Sequence, residues 1–392
     1  MLLHCMACDH RTPHDPMLYA CPRCQTPLEV IYEPAELERV RSFEGRGVWR
    51  YRPLLPVGPK VTLGEGDTGL HACERLGREL GVSRLFVKNE GENPTGSFKD
   101  RGMTVGIALA AETGVSAVAC ASTGNTSASM AAYAARAGLR AIVLIPAGKV
   151  ASGKLAQTLA HGAEIAQVDG NFDDAMRLVV ELSVREKGVY LLNSLNPYRL
   201  EGQKTLAFEV CEALGDAPDV LALPVGNAGN ISAIWKGFKE FHALGRISKL
   251  PRIIGVQAAN AAPIVRALRD GADLVPVERP ETIATAIRIG APVNWKKAVA
   301  AIRESHGEAG AVTDEEILEA QHRLAAREGL FVEPASAAPL AYLNRHRLET
   351  PGTVVCVATG HGLKDPEAAS RMPMRMARVE PRLDAIRELL ER

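Results

Sequence analysis

The stretch Asn93-Pro94-Thr95-Gly96-Ser97-Phe98-Lys99-Asp100-Arg101-Gly102 follows a short apolar segment, Leu85-Phe86-Val87, and leads into an alanine-rich helical pattern over residues 102–113. An apolar run, then a polar glycine-containing loop, then a helix is the repeating unit of α/β proteins. Ligands of such proteins lie beyond the carboxyl ends of the parallel strands. The stretch is therefore predicted to place Lys99 in a loop at the ligand-binding edge of a parallel sheet.

The same alternation continues along the chain. Further apolar runs of strand length lie at residues 117–120, 141–145, 219–223, 253–256 and 353–357. Helical patterns between them cover residues 126–137, 153–161, 173–187, 202–214, 231–244 and 314–328. The sequence therefore predicts an α/β protein with a mainly parallel sheet.

Composition excludes several classes of function. The chain has 392 residues, with 46 Lys+Arg against 46 Asp+Glu, and a net charge of zero argues against a broad basic surface for nucleic acid or an anionic membrane. No apolar run approaches the roughly 18 residues of a membrane span, and the N-terminus lacks the basic and apolar parts of a signal peptide. We therefore expect a cytoplasmic protein that acts on a small molecule, built of two domains and an appendage.

Small, polar loops with glycine follow four of the predicted strands. They are the Lys99 stretch, Ala121-Ser122-Thr123-Gly124-Asn125-Thr126, Gly226-Asn227-Ala228-Gly229-Asn230 and Ala358-Thr359-Gly360-His361-Gly362. The 226–230 turn would point backbone N–H groups at an anion such as a phosphate. Taken alone, that turn can be explained by chain reversal without any ligand. In the same way, the 122–125 side chains can be explained as caps of a helix. Four such loops at one edge are harder to explain by structural needs.

These loops and one further segment, Asn193-Ser194-Leu195-Asn196-Pro197-Tyr198-Arg199-Leu200-Glu201-Gly202-Gln203-Lys204-Thr205, together resemble the threonine synthases of the tryptophan-synthase-β-like superfamily of pyridoxal phosphate enzymes. The resemblance spans residues 63–366. It implies fold type II, with two open, mainly parallel-sheet domains and helices on both faces. The Lys-Asp-Arg-Gly run at residues 99–102 and the Gly-Asn-Ala-Gly-Asn turn are more similar to threonine synthases than to serine/threonine dehydratases.

The resemblance implies pyridoxal 5'-phosphate as cofactor. Lys99 would form the Schiff base and, once released, move protons at the substrate Cα and Cβ, which requires a lowered pKa. Asn125 would hydrogen-bond the 3-hydroxyl oxygen of the cofactor, and Thr359 would face the ring nitrogen, so that the ring is a moderated electron sink. The cofactor phosphate would be held by the backbone N–H groups of Gly226, Asn227, Ala228, Gly229 and Asn230.

The resemblance also implies the substrate, O-phospho-L-homoserine, which would react with water to give L-threonine and phosphate. Ser122 and Thr123 would bind its α-carboxylate near a helix N-terminus. Arg199 is the main candidate for its phosphate, because the planar guanidinium matches phosphate oxygens in pairs. Lesser candidates for the phosphate are Asn193, Asn227 and Lys204.

Alternatives remain open for both the residues and the reaction. From the sequence alone, Arg199 can instead form a surface ion pair with Glu201 or Glu209. The same scaffold can also carry a sibling reaction, such as cysteate synthesis or the deamination of threonine or serine, and a deaminase has no use for a phosphate-binding arginine. The segment Glu333-Pro334-Ala335-Ser336 matches the family without an assigned role beyond lining the ring pocket or starting a helix.

Four cysteines near the N-terminus predict a structural zinc site. Cys5-Met6-Ala7-Cys8 and Cys21-Pro22-Arg23-Cys24 are two Cys-x-x-Cys pairs separated by 12 residues, which suits a four-thiolate zinc ribbon better than a redox pair. A zinc ribbon can also mark a nucleic-acid-binding regulator. Residues 1–48 contain five Arg, no Lys and seven Asp+Glu, a net charge of 5 − 7 = −2, which favours a fold-stabilising or dimer-contact module instead.

The predicted division of the chain has three parts. Residues 1–48 form the zinc-ribbon-like module and its linker, residues 49–105 with 206–392 form the large cofactor-binding domain, and residues 106–205 form a small mobile domain. We expect the small domain to close on the substrate so that reactive intermediates are shielded from water. The family also suggests a homodimer.

Overall fold

A computed structural model describes residues 1–148, 152–348, 352–370 and 376–390. The strands are β1 (Leu2–His4), β2 (Arg11–Pro13), β3 (Glu29–Ile31), β4 (Leu70–Ala72), β5 (Arg84–Asn89), β6 (Ala117–Ala121), β7 (Arg140–Pro146), β8 (Glu164–Val168), β9 (Val189–Leu191), β10 (Val220–Pro224), β11 (Arg252–Ala258), β12 (Glu308–Val312) and β13 (Thr353–Ala358). The helices are α1 (Pro34–Leu37), α2 (Glu74–Leu80), α3 (Lys99–Thr113), α4 (Asn125–Ala137), α5 (Ser152–Ala160), α6 (Phe172–Arg185), α7 (Tyr198–Gln203), α8 (Thr205–Leu214), α9 (Gly229–Ala243), α10 (Pro263–Asp270), α11 (Trp295–Glu304), α12 (Asp314–Glu328), α13 (Pro334–Arg345), α14 (Pro366–Ala369) and α15 (Leu383–Leu390).

The described strands form three sheets. The largest has the order β12-β11-β10-β13-β5-β4 and is parallel except for the edge strand β4. A fully parallel sheet has the order β8-β7-β6-β9, and a small antiparallel sheet has the order β2-β1-β3. In the described part of the chain, no helix has both the length and the hydropathy of a membrane-crossing segment.

Alternate residues of β10 show how the largest sheet is covered. Val220 and Ala222 belong to a core that also contains residues of α12 and α13. Leu221 and Leu223 belong to a second core, with residues of α8, α9 and α11. Because successive side chains of a strand point to opposite faces, helices cover both faces of this sheet. The predicted α/β class with open, mainly parallel sheets is confirmed.

The apolar runs of the sequence all lie in or overlap observed strands. In the two larger sheets, the runs did not predict β4, β8, β9 or β12. Each of these four is an edge strand of its sheet. Edge strands are short or partly solvated, so they lack the continuous apolar run of a central strand. β8, for example, has the sequence Glu-Ile-Ala-Gln-Val and contains no fully buried residue.

Helices α3 and α7 cross at very short range. A Cβ atom on Gly102 would lie 2.7 Å from the carbonyl oxygen of Arg199, and one on Gly202 would lie 1.8 Å from that of Arg101. Any side chain at either position would push the helices apart. The prediction that Lys99 lies in a loop is wrong, because α3 begins at Lys99 itself. The crossing therefore fixes Lys99 relative to the helix that carries Arg199.

A buried ion cluster supports the start of α3. The Arg101 guanidinium is fully buried and donates from Nε to Glu90 at 2.5 Å and from Nη1 to Glu209 at 2.6 Å. The Lys88 amine donates to the second oxygen of Glu209 at 2.7 Å. Burial by itself would raise the pKa of Glu209, but the Arg101 and Lys88 cations outweigh it and lower that pKa to about 2. The cluster ties β5, α3 and α8 together next to Lys99.

Replacing Arg101 tests this support. We expect Arg101→Leu to lower the free energy of unfolding by about 3–5 kcal/mol, because Glu90 would remain buried without its cation and Glu209 would keep only Lys88. Arg140→Leu removes an exposed ion pair with Glu164 and should leave stability nearly unchanged. Urea unfolding of both variants measures the difference, and equal stability of the two variants would contradict the assigned support.

Candidate active site and metal centre

Lys99 provides a reactive amine at the start of α3. Its side chain is half-buried, and Nζ lies 4.2 Å from the centroid of the Phe98 ring. Its pKa is lowered to about 7, first because burial disfavours the charged amine and then because the Arg199 guanidinium repels a second positive charge, while Glu333 acts in the opposite direction. Near pH 7 a large share of the amine is therefore neutral, as a nucleophile or a base must be.

The loop after β13 lies directly against the start of α3. The Phe98 N–H donates to the carbonyl oxygen of Thr359 at 3.0 Å. Ser97 and Gly360 also form an isolated antiparallel bridge. These contacts bring Thr359, which the sequence analysis assigned to the cofactor ring, into the surroundings of Lys99.

Glu333 joins two of the predicted site residues. Its buried carboxylate accepts a hydrogen bond from Asn125 Nδ2 and another from the Thr359 hydroxyl, both at 3.0 Å. Burial raises its pKa, and these two hydrogen bonds oppose the rise. A Cβ atom on Gly360 would lie 2.7 Å from the Glu333 carboxyl group, so glycine leaves room for the carboxylate.

The sequence motifs include the segment of Glu333 but predict no specific role for this residue. Its signal in the sequence is an acid directly before Pro334, at the start of a helix that is otherwise apolar and alanine-rich. A carboxylate in such surroundings needs hydrogen-bond donors from elsewhere in the fold. Those donors come from Asn125, the first residue of α4, and from Thr359 in the loop after β13.

The loop after β6 presents Ser122 and Thr123 beside the start of α4. The helix begins at Asn125, and the residue before it, Gly124, makes no side-chain cap. The Ser122 hydroxyl accepts from the Gly124 N–H at 3.2 Å. The described contacts therefore do not show the helix-capping alternative for these two hydroxyl residues, and the first N–H groups of α4 have no acceptor within the helix.

The turn between β10 and α9 has the features of an anion-binding nest. Ala228 adopts a left-handed conformation (φ 63°) directly before the helix, as successive N–H groups of a nest require. A Cβ atom on Gly226 would lie 3.0 Å from the carbonyl oxygen of Ala286. The buried amide of Asn230 has no hydrogen-bond partner at either Oδ1 or Nδ2 in the described part of the chain. The turn thus offers donors that the protein itself does not use.

Asn227 in this turn is held by the segment before α11. The N–H of Asn294 donates to the Asn227 carbonyl oxygen at 3.2 Å, and the N–H of Val293 donates to Asn227 Oδ1 at 3.3 Å. Asn294 Nδ2 also donates to the carbonyl oxygen of Ser194 at 2.9 Å. Asn294 is not among the residues predicted from the sequence, because it lies outside any strand or helix pattern and only the folded chain brings it to the turn.

Arg199 is buried, at 2% exposure, and its Nε and Nη2 have no hydrogen-bond partner among the described residues. Burial lowers its pKa to about 10. The surface-ion-pair alternative is wrong, because Glu201 pairs with Lys204 at 2.5 Å and Glu209 pairs with Arg101 at 2.6 Å. A buried guanidinium with free donors is costly without a ligand. Its place beside Lys99 therefore favours an anionic substrate group.

The structure does not bring Lys204 or Asn193 to this site with free groups. The Lys204 amine donates to Glu201 at 2.5 Å and lies 2.8 Å from Glu240. Asn193 Oδ1 accepts from the Ala121 N–H at 3.1 Å, and its Nδ2 donates to the Ala121 carbonyl oxygen at 3.4 Å. Because these side chains are used within the fold, we correct the sequence-based expectation and leave both out of the proposed substrate site.

The four N-terminal cysteines converge as the sequence predicted. Their sulfur atoms all lie within 4.8 Å of one another, with Cys5 to Cys24 at 3.4 Å and Cys8 to Cys21 at 3.6 Å, and none of the four forms a disulfide. A tetrahedron with metal–sulfur bonds of about 2.3 Å places its sulfurs about 3.8 Å apart. The donor set and its spacing therefore fit zinc.

Comparisons with known proteins identify the family. The model of a family described as "Pyridoxal-phosphate dependent enzyme" matches residues 61–360. The chain is 53% identical to the threonine synthase of Methanocaldococcus jannaschii, with all of both chains covered, and 52% identical to that of Methanosarcina acetivorans, with 99% of this chain and 98% of that protein covered. The chain belongs to the threonine synthase family of pyridoxal-phosphate dependent enzymes. The resemblance inferred from the sequence motifs is confirmed.

A solved structure agrees at the level of the fold. A fungal L-serine ammonia-lyase from Rhizomucor miehei matches with a TM-score of 0.66 at 21% identity, over 78% of this chain and 98% of that chain. At that identity the likeness extends to the fold alone.

Two substitutions should shift the pKa of Lys99 in opposite directions. Arg199→Met removes a repelling cation and should raise it above about 7, whereas Glu333→Gln removes an attracting carboxylate and should lower it. The rate at which cofactor-free protein forms an imine with added pyridoxal phosphate, recorded against pH, measures the midpoint. Lys99→Ala identifies the signal of this amine, and shifts in the same direction would contradict the assigned electrostatics.

Proposed function

We propose that this enzyme converts O-phospho-L-homoserine and water to L-threonine and inorganic phosphate. The observation that carries the proposal is the buried guanidinium of Arg199, which has unused donors and lowers the pKa of the adjacent Lys99. A deaminase of threonine or serine has no substrate phosphate to bind there. Membership of the threonine synthase family supports the same reaction.

Pyridoxal 5'-phosphate fits the residues of the site. Lys99 would bind its aldehyde, and Asn125 and Thr359, both joined to Glu333, would hold its ring. The N–H groups of the 226–230 turn, with the unpartnered amide of Asn230, would hold its phosphate. When bound, this cofactor supplies an electron sink for negative charge on carbon next to the substrate nitrogen.

The chain's own groups then bind and orient the substrate. Arg199 Nε and Nη2 form a fork for two oxygens of the substrate phosphate. Ser122 and Thr123 bind its α-carboxylate, aided by the positive N-terminal end of α4. Once the substrate amine has replaced it at the cofactor aldehyde, the released neutral Lys99 would accept the proton from the substrate Cα and move protons at Cβ, while phosphate leaves from Cγ and water adds at Cβ.

The three-part division of the chain is also our proposal, with residues 1–48, 49–105 joined to 206–392, and 106–205 as its parts. It is supported by the separation of the parallel strands, since β6 to β9 form one sheet and β5, β10, β11, β12 and β13 belong to the other. The loop of Ser122 follows β6, so movement of that part would bring it onto the substrate and exclude water. A homodimer in the cytoplasm remains our expectation for the assembly and its location.

Structural zinc bound by Cys5, Cys8, Cys21 and Cys24 completes the proposal. The three strands of this region have three residues each. Such short strands bury too little apolar surface to hold a fold by themselves, so a metal that cross-links both Cys-x-x-Cys turns supplies the missing stability.

Direct assay tests the reaction. Purified enzyme given O-phosphohomoserine should release phosphate and form threonine in equal amounts, and Lys99→Ala should abolish both the activity and the visible absorption band of the bound cofactor. Arg199→Met should raise KM for this substrate about 10- to 100-fold, since hydrogen bonds to charged groups contribute about 1.5–3 kcal/mol. Arg140→Met, at the protein surface, is the matched control.

One result would replace the proposed reaction. If the enzyme released no phosphate from O-phosphohomoserine but converted threonine to an oxo-acid, it would be a deaminase. Phosphate release from phosphoserine in the presence of sulfite would indicate cysteate synthesis instead.

Metal analysis tests the zinc site. The intact protein should contain about one zinc per chain, and a Cys21→Ser/Cys24→Ser variant should contain almost none, because half of the thiolate ligands are lost. Cys73→Ser changes a cysteine outside the cluster and should keep the metal. Equal metal content in all three proteins would refute the four-cysteine site.

A further inference from the structure

The four-cysteine module, here residues 1–32, packs against the helix that carries Arg199. The Tyr198 hydroxyl, on α7, donates to the carbonyl oxygen of Asp15 at 2.5 Å. The rings of Tyr19 and Tyr190 meet edge to face with centroids 5.7 Å apart. Leu3 and Val30 of the module belong to the same hydrophobic core as the β6 to β9 sheet. The module is therefore an integral part of the fold beside the site.

A second contact joins the module to α11. Lys297, in the first turn of α11, is buried, and its amine donates to the carbonyl oxygen of Leu28 at 2.7 Å. Leu28 lies four residues after Cys24, and its own N–H donates to the carbonyl oxygen of Tyr19. Residues 24–27 and 293–297 also line the two walls of one cavity. The hydrogen bond of Lys297 thus links α11 to the turn that carries the last two cysteines.

From α11 the contacts continue to the turn at residues 226–230, which we propose holds the cofactor phosphate. Asn294 directly precedes α11, three residues before Lys297, and its N–H donates to the carbonyl oxygen of Asn227 at 3.2 Å. One helical turn therefore separates the contact with the module from the contact with the turn at residues 226–230. A displacement of Leu28 that tilts the first turn of α11 moves the donor that holds Asn227.

We propose that metal binding in the four-cysteine module positions the cofactor phosphate turn through Leu28, Lys297, Asn294 and Asn227. Lys297 and Asn294 are positioning residues in this scheme. The inference rests on the proposed binding of zinc and pyridoxal phosphate and adds a coupling between them. In this scheme the bound metal fixes the 21–28 turn, and the hydrogen bond from Lys297 to Leu28 fixes α11 against that turn. The hydrogen bond from Asn294 to Asn227 then keeps the 226–230 turn in the geometry that a phosphate needs.

The coupling is measured by comparing the Kd for pyridoxal phosphate in four samples, which combine two proteins with two zinc states. Cofactor-free protein is titrated with pyridoxal phosphate, with zinc bound and after chelation, in the wild type and in Lys297→Met. We expect chelation to raise the wild-type Kd about tenfold, which corresponds to about 1.4 kcal/mol. In Lys297→Met the Kd should already be raised with zinc bound, and chelation should change it less than about twofold because the connection is cut.

Lys187→Met is the control, since this lysine is exposed and lies outside the module, α11 and the 226–230 turn, and it should leave both the affinity and its response to chelation as in the wild type. Zinc content is determined for every sample, with zinc supplied in slight excess before the titration. A role of Lys297 in local packing alone would weaken cofactor binding but leave the full response to chelation. That result, or a wild-type Kd that chelation does not change, would overturn the coupling.

Failure of the coupling is distinct from failure of the proposed function. If the wild type with zinc does not bind pyridoxal phosphate, the cofactor assignment is refuted and the coupling with it. If the wild type contains no zinc, the metal assignment is refuted. If both bind and the two titrations of the wild type coincide, the coupling alone is wrong.

Discussion

The close crossing of α3 and α7 is the constraint on which the site depends. Gly102 and Gly202 have no side chains, so each backbone approaches the other helix at a distance that a Cβ atom would forbid. The crossing brings the cation of Arg199 near the amine of Lys99, and burial there gives both charges a high cost. The amine responds by losing its proton more readily, whereas the guanidinium stays charged and keeps unused donors.

Buried carboxylates pair with the cations that support the fold, but they do not pair with the cation that we propose binds a ligand. Arg101 has Glu90 and Glu209, and Lys204 has Glu201 and Glu240, so these buried charges are neutralised within the fold. Arg199, only two residues before Glu201 in the chain, has no such partner among the described residues. Satisfied charges stabilise the helices, while the unsatisfied one can bind substrate.

The four-cysteine module belongs to the same arrangement. It contacts α7, which carries Arg199, through Tyr198, and it contacts α11, which borders the 226–230 turn, through Lys297. The proposed metal would cross-link both Cys-x-x-Cys turns of this module. A module in contact with both helices can keep Arg199 and the 226–230 turn in a fixed relative position.

The sequence by itself determined the α/β class, the central strands, the clustering of four N-terminal cysteines and the family. Central strands are continuous apolar runs, and the loops after them keep local patterns that survive without knowledge of the fold. Only the tertiary structure decided that Glu333 joins Asn125 to Thr359, that Asn294 holds Asn227, and that Lys204 is paired while Arg199 is not. Those outcomes depend on which distant carboxylates and carbonyl groups the folded chain brings within hydrogen-bond range. A local sequence pattern does not specify which groups from distant parts of the chain will meet.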